Sequence, residues 1–189
     1  MPNRVVVVDY DPAWREVFVR VARPVRDALG PLAQTIEHVG STSVPGLAAK
    51  PIVDISVVVA TDADLPAAIE RLAALGYRHQ GDLGVEGREA FHAPEGLPPH
   101  NLYVCPRGSL GLVNQIAVRD HLRAHAEVAA AYAALKKSLA EKHPDDIGAY
   151  VEGKTDFVLG MLRATGRLTA DQLDRIERAN RPIPRVESR

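Results

Sequence analysis

Apolar residues recur with two different periods along the chain, and together the two patterns predict a mixed α/β protein. A β-branched run at residues 4–8 predicts a first strand. Asp11 and Pro12 then predict the start of a helix, as N-cap and first helical residue, and apolar spacings of three and four residues continue it to a capping Gly30. Pro24 lies inside this pattern, so we expect it to kink or split the helix.

Two later apolar runs predict neighbouring strands of a sheet. The run at residues 35–39 ends in a loop of small residues, and the run at 51–59 is apolar enough for a central strand although Asp54 interrupts it. The segments that follow are a helix from about residue 65 with Gly76 as its cap, a hairpin or mobile loop at 81–99, and a strand at 101–105.

Helical spacing dominates the remainder of the chain. The predicted helices are those at residues 110–124, 126–142 and 146–165. A capping box that begins at Thr169 predicts a short last helix, and Pro182 begins a charged tail. We therefore expect an α/β (α+β) domain with a helical second half at residues 1–166, followed by a C-terminal helix and tail at 167–189.

The composition is that of an ordinary globular domain. The chain has 189 residues, of which 25% are charged and 46% hydrophobic, and its net charge of −1 provides no general basic surface for nucleic acid. Cys105 is the single cysteine, so no intramolecular disulfide can form, and we expect an inert, buried thiol in a reducing compartment. No apolar run is long enough to span a bilayer, and the N-terminus lacks a signal-peptide pattern. We expect a cytoplasmic protein without a membrane or nucleic-acid partner.

The loop between the two apolar strands contains the residues that suggest chemistry. Gly40 ends the first strand, and its missing side chain would let a phosphate group approach the backbone closely. Hydroxyl groups follow at Ser41, Thr42 and Ser43. Successive amides of such a loop can bind an anion, and Lys50 adds a positive charge nearby. We predict a phosphate-binding loop; the alternative is a tight turn that simply requires glycine.

Asp54 is unusual because a carboxylate is costly to bury in an apolar strand unless it is paired or binds a cation. Two interpretations remain open on the sequence. In one, the carboxylate pairs with Lys50 or with a backbone amide. In the other, it binds a metal ion or the ligand.

The sequence Val39-Gly40-Ser41, followed by the twelve residues from Thr42 to Val53 and then by Asp54, resembles the motif of the nucleotidyltransferase superfamily. The longer string from Glu37 to Ile55 is similar to the signature of the GrpB family. The likeness covers the chain from about Val5 to Thr165 and continues in the segments His100 to Val104, Val118 to Arg123, Tyr132, Leu135-Lys136, Tyr150, Lys154 and Phe157. It implies a nucleotidyltransferase-like mixed sheet flanked by helices.

The resemblance also implies a chemistry, from which the sequence departs. In nucleotidyltransferases the Gly-Ser turn holds a nucleoside triphosphate, and carboxylates hold Mg²⁺ for attack on the α-phosphate. Here Ser56 occupies the position of the second carboxylate, and the strand at 101–105 has no acidic residue to supply a third.

Three residues near the loop are candidate replacements for the missing carboxylates. Glu37 and His38 precede the Gly-Ser turn, and His100 directly precedes the strand at 101–105. The candidate catalytic residues are therefore Asp54, His38 and His100, and the candidate metal ligands are Asp54 and Glu37. Taken singly, each histidine is better explained as a structural residue with satisfied hydrogen bonds.

Basic residues of the helical half are candidates for completing the anion site. Arg119 and Arg123 are four residues apart and share one helix face, which predicts either an anion clamp or a solvated face paired with Asp120. Lys136 and Lys154 look like helix-surface lysines by composition, and the family resemblance adds them as candidate ligand-binding residues.

Three hypotheses for the function follow. The first is a protein that binds a nucleotide or another phosphate-bearing small molecule and, if it is an enzyme, transfers a nucleotidyl group with Mg²⁺ to a small-molecule acceptor. The second is a non-catalytic ligand-binding or accessory domain. Members of the family also occur fused to dephospho-coenzyme A kinases, and this resemblance implies a domain that assists a coenzyme A biosynthetic enzyme. The third is a hydrolase or transferase that uses His38, Asp54 and His100 with another metal.

Overall fold

The computed structural model describes residues 4–181 and shows one five-stranded mixed sheet with helices on both sides. The strands are β1 (Thr35–Val39), β2 (Val53–Val59), β3 (Arg78–His79), β4 (Glu89–His92) and β5 (His100–Pro106). The α-helices are α1 (Ala13–Leu29), α2 (Leu65–Ala74), α3 (Leu110–Ala124), α4 (Ala126–Lys142), α5 (Ile147–Thr165) and α6 (Ala170–Asn180). The predicted mixed α/β class with a helical second half is confirmed.

The strand order β1-β2-β5-β4-β3 places β2 between β1 and β5. Strand β1 is antiparallel to β2, and β2 is parallel to β5. A parallel pair needs a long crossover connection, which α2 and the β3-β4 hairpin supply. The register places Asp54 of β2 between Val39 of β1 and Asn101 of β5.

The two faces of β2 meet different helices because successive side chains point to opposite faces of a sheet. Val53, Ile55 and Val57 are fully buried in the main core. That core also contains Val21, Val25 and Leu29 of α1 and Leu72 of α2. Its period of four along α1 is the apolar stripe that the sequence predicts.

The opposite face of β2 contacts α3 and presents polar residues at its start. Val58 packs with Leu112 of α3, and the Ser56 hydroxyl donates a hydrogen bond of 2.6 Å to Gln115 Oε1. Asp54 is the first residue of β2 on this face, before Ser56 and Val58. A strand that is apolar on one face therefore delivers one carboxylate to the boundary between the sheet and the helical half.

The helical half packs onto the loop that follows β1. Val44 and Leu47 of that loop share a buried cluster with Leu122 of α3, Tyr132 of α4 and Met161 of α5. The loop is thus held by apolar contacts as well as by its own turn. Farther along the chain, the capping box at Thr169 is present, and it starts α6 as predicted.

Several local predictions need correction. Residues 4–7 form no strand, and only Val8 makes an isolated bridge, to Ala49. The β-branched run instead lies extended on the protein, where Val5 N–H bonds Pro144 O. Helix α1 runs unbroken through Pro24, and β2 begins at Val53 rather than at residue 51.

Other boundaries agree with the prediction or lie beyond what the structure describes. The hairpin alternative for residues 81–99 holds in part, since β4 lies there but its hairpin partner β3 precedes the range. The charged tail from Pro182 lies outside the described residues. None of the helices in residues 4–181 is long and apolar enough to cross a membrane.

The close packing of α3 against the segment before β4 can be tested at Gly111. A Cβ added there would lie 2.8 Å from Arg88 Cβ, an atom that cannot move without the backbone. We expect Gly111→Ala to lower the free energy of unfolding by about 1–3 kcal/mol, measured by chemical denaturation. The matched control is Gly160→Ala in α5, where the added Cβ meets no atom within 4 Å. That change should raise stability by about 0.5–1 kcal/mol, and equal effects at the two sites would contradict the described packing.

Candidate functional site

A small cavity of about 200 Å³ lies where the loop after β1, the start of β2 and helices α4 and α5 meet. Its polar lining consists of Ser41, Thr42, Lys50, Asp54, Asn101, Lys136, Tyr150 and Lys154. These residues come from five separate elements of the chain. The structure therefore brings Ser41 and Asp54 to one cavity, as the sequence predicts for these two residues.

Gly40 allows the loop to cross directly over the Asp54 carboxylate. Its φ of +69° is in the region that favours glycine, and a Cβ added to it would lie 2.1 Å from Asp54 Oδ2. The space that the missing side chain leaves is therefore taken by the protein's own carboxylate. A short 3₁₀ turn at Ser41–Ser43 follows, and the Ser43 hydroxyl closes it by donating to Gly40 O at 2.6 Å.

Asp54 lies at the floor of the cavity, surrounded by protein atoms but still partly reached by solvent. Its Oδ1 accepts a hydrogen bond of 2.7 Å from Asn101 Nδ2, across the parallel pair of strands. Burial raises the pKa of this carboxyl, while the Asn101 hydrogen bond and the charges of Lys50 and Lys154 oppose the rise. Within residues 4–181 no basic side chain is close enough to form an ion pair with Asp54.

Lys136 is buried, with 2% of its surface exposed, and is not the surface lysine that composition suggests. Its Nζ donates to Ser41 Oγ at 2.8 Å and to the backbone oxygen of Ala48, and it lies 4.6 Å from the centre of the Tyr132 ring. Burial lowers the pKa of Lys136 to about 7, and the positive charge of Lys154 adds to the effect.

Two more lysines line the cavity, and burial lowers their pKa values as well. Lys154 lies 4.6 Å from the centre of the Tyr150 ring, and Lys50 lies 5.7 Å from the same centre. Burial lowers the pKa of Lys154 to about 8, with a further contribution from Lys50. Burial also lowers the pKa of Lys50, which Asp54 partly restores. Burial is thus the main cause that disfavours the charged form of all three lysines, and repulsion between lysines adds to it for Lys136 and Lys154.

The two predicted clamp arginines bind the protein itself. Arg119 forms ion pairs of 2.8 Å with both Glu37 and Asp120. Arg123 donates two hydrogen bonds, of 2.7 and 3.1 Å, to the backbone oxygen of Ser43. Neither guanidinium lines the cavity: Arg119 contacts strand β1, and Arg123 contacts the loop that follows it. Glu37, a candidate metal ligand, is in the same way directed to α3.

The two candidate histidines do not join Asp54. His38 stands opposite Ile55 in the register and His100 opposite Val53, which places both side chains on the other face of the sheet. The His38 ring stacks on Phe18 with ring centres 4.8 Å apart, and burial with the nearby arginines lowers the pKa of His38 to about 4. No group of three or more His, Cys, Asp or Glu side chains between residues 4 and 181 is placed to hold a metal ion.

Hydrogen-bond partners within the protein lie next to Nε2 of His38 and next to both ring nitrogens of His100. His38 Nε2 is 3.0 Å from Thr42 Oγ1, a contact between strand and loop. His100 Nδ1 donates to Pro98 O at 2.7 Å, so its Nε2 accepts from the Tyr77 hydroxyl at 2.8 Å. Both histidines therefore have the contacts that a structural role requires.

Two residues of the cavity, Asn101 and Tyr150, are not among the predicted site residues, although the family resemblance includes both. A polar residue in an apolar run, the signal that identifies Asp54, also marks Asn101. Tyr150, four residues before Lys154, supports two of the lysines with its ring. An aromatic residue at that helical spacing from a lysine is the available signal for this arrangement.

The crossing of the loop over Asp54 can be tested at Gly40. We expect Gly40→Ala to lower the free energy of unfolding by about 2 kcal/mol or more, because the new Cβ meets the carboxylate and φ is unfavourable. Gly46→Ala is the control, since Gly46 has a φ of +78° but no atom within 4 Å of the added Cβ. Chemical denaturation should show a clearly larger loss for Gly40→Ala. Equal losses would mean that only backbone strain matters and that the contact with Asp54 does not.

Comparison with known proteins identifies close relatives. Residues 4–164 match the family described as GrpB protein. The chain is 38% identical over 160 residues to UPF0157 protein SCO7215 of Streptomyces coelicolor, with 84% of this chain and 82% of that protein covered. It is 34% identical over 156 residues to UPF0157 protein YqkA of Bacillus subtilis, covering 82% of this chain but only 46% of YqkA. The chain therefore spans about half the length of that relative.

A third relative is a dephospho-CoA kinase of Mycolicibacterium paratuberculosis, 28% identical over 173 residues that cover 78% of this chain and 42% of the kinase. Among solved structures, GrpB from Enterococcus faecalis is similar with a TM-score of 0.76 and 32% identity, covering 85% of this chain and 96% of that one. The Cid1 poly(U) polymerase bound to MgATP is similar with a TM-score of 0.54 and 14% identity, covering 81% of this chain and 50% of that one. The likeness to Cid1 shows that this chain has a nucleotidyltransferase-like fold.

Proposed function

This chain belongs to the GrpB family, and from that premise we propose that it binds a phosphate-bearing small molecule, such as a nucleotide, in the cavity beside the Gly40-Ser41 turn. The observation that carries the proposal is the lining of the cavity, which has three lysines and one carboxylate. A buried cation without a partner is costly, so such a group of lysines calls for an anion.

Lowered lysine pKa values support a negatively charged ligand. The pKa of Lys136 is about 7 and that of Lys154 about 8, each depressed by burial and by a neighbouring lysine. A phosphate group in the cavity would offset both causes and raise both values. The Ser41 hydroxyl, already bonded to Lys136, would add a neutral donor beside the charged ones.

The residues of the cavity fit Mg²⁺ poorly, and we derive no metal-dependent step from them. Mg²⁺ is usually bound through carboxylates and phosphates, and the cavity offers one carboxylate that already accepts from Asn101. Ser56, at the position of a second carboxylate, is committed to Gln115. Binding of a phosphate-bearing ligand is therefore favoured over nucleotidyl transfer, although Cid1 is described in complex with MgATP.

A role as an accessory domain is a compatible second candidate. The dephospho-CoA kinase relative matches this chain over only 42% of its own length, so a counterpart of this chain forms a part of that larger protein. We propose that such a domain could hold a phosphate-bearing ligand for a partner enzyme without reacting it. The lysine-rich lining of the cavity is compatible with a protein that binds the ligand by itself and with a domain that binds it for a partner enzyme.

The variant Asp54→Asn distinguishes a metal-independent anion site from a site in which a metal ion holds a nucleotide. Removing the one negative charge from a lysine-lined cavity should tighten the binding of inorganic phosphate in EDTA by about tenfold. The amide can still accept the Asn101 hydrogen bond, so the fold should persist. Isothermal titration calorimetry measures the affinity, and nucleoside triphosphate with and without Mg²⁺ is titrated in parallel.

The control is Asp9→Asn, which removes the same charge from a residue on the surface, where it pairs with Lys137. It should leave phosphate affinity unchanged. If Asp54→Asn instead abolishes binding, and binding in the unaltered protein requires Mg²⁺, the carboxylate holds a metal and the anion-site proposal is wrong.

A further inference from the structure

We infer that the cavity recognises a terminal phosphate monoester in its dianionic form, and that the rest of the ligand lies outside it. The inference rests on the proposed function and specifies its ligand class. It distinguishes a phosphomonoester from the two nearest alternatives: an internal phosphodiester, which carries one negative charge, and a ligand that is enclosed as a whole.

Cavity size supports a terminal group. The volume of about 200 Å³ is below the range of about 300–1,000 Å³ that is usual for pockets enclosing a drug-sized ligand. A phosphate group fits such a space, whereas a complete nucleotide does not.

Charge balance supports a dianion. The cavity contains Lys50, Lys136 and Lys154, which carry three positive charges when protonated, and Asp54, which carries one negative charge when ionised. The difference is a net charge of +2. A phosphomonoester dianion neutralises it, whereas a phosphodiester or a sulfate ester leaves one uncompensated positive charge in a buried place.

The same groups limit the pH range of binding. Phosphate monoesters lose their second proton near a pKa of about 6. Lys136 and Lys154, which face one another together with Asp54 and Lys50, lose their protons at pKa values of about 7 and 8. Affinity for a monoester should therefore be greatest between about pH 6 and 7 and fall on both sides. From about pH 7 upward, binding should take up protons, because the bound anion recharges the lysines.

Phenyl phosphate and phenyl sulfate test the inference because they share a shape and differ in charge. Calorimetric titrations from pH 5 to 9 should show at least about tenfold tighter binding of the phosphate ester near pH 7. Its affinity should fall toward pH 5, whereas the sulfate ester, which stays monoanionic, should show no loss on the acid side. Repeating the pH 7 titration in buffers with different ionisation enthalpies should reveal proton uptake with the phosphate ester.

A lysine variant tests whether the cavity causes the preference. Lys154→Met keeps the apolar stem over Tyr150 and lowers the net charge to +1, so the preference for phosphate over sulfate should fall by about tenfold. Lys137→Met, which alters an exposed lysine next to Lys136 in sequence, should leave the preference unchanged.

The outcomes separate the inference from the function on which it rests. If the two esters bind equally with the same pH dependence, or if Lys154→Met leaves the preference intact, the dianion inference is overturned while an anion site remains. If neither ester nor inorganic phosphate binds at any pH, the proposed function itself is wrong.

Discussion

Burial of the Lys136 side chain between α4 and the loop after β1 connects the helical half of the chain to the sheet. An ammonium group loses favourable hydration when it is buried, and here it regains only two oxygen acceptors, on Ser41 and Ala48, and the face of Tyr132. The contact fixes the position of Ser41 at the cavity. Burial also lowers the pKa of Lys136 to about 7, so the charged form of the lysine is disfavoured, and a bound anion would stabilise that form.

The surrounding elements hold the loop after β1 in the position that allows Ser41 to contact Lys136. Gly40 lets the backbone cross Asp54, and Arg123 bonds the carbonyl of Ser43 from α3. Val44 and Leu47 anchor the next segment among the helices. The nucleotidyltransferase-like scaffold thus presents its Gly-Ser turn beside Asp54, in a cavity lined by three lysines and one carboxylate. The electrostatics of the cavity follow from this excess of basic side chains.

Local sequence signals predicted most of the elements, because the apolar spacings of α3, α4 and α5 and the runs of β1 and β2 agree with the tertiary structure. The run at 4–8 failed because β-branched residues indicate an extended backbone and cannot show whether a partner strand is available. Ser41 and Asp54 could be paired because they flank one short loop. The sequence does not give the register of β1 and β5 against β2, and that register turns His38 and His100 away from Asp54. Burial of Lys136 depends on how α4 docks, which its own composition does not reveal.

The most direct test of the account is an NMR titration of the lysine side-chain nitrogens in isotope-labelled protein, with and without inorganic phosphate. The account predicts that Lys136 and Lys154 titrate with pKa values of about 7 and 8 in the protein alone and that phosphate shifts both upward. If Lys136 and Lys154 instead titrate near the ordinary lysine pKa of about 10.4 and phosphate moves neither of them, the cavity is not the anion site described here.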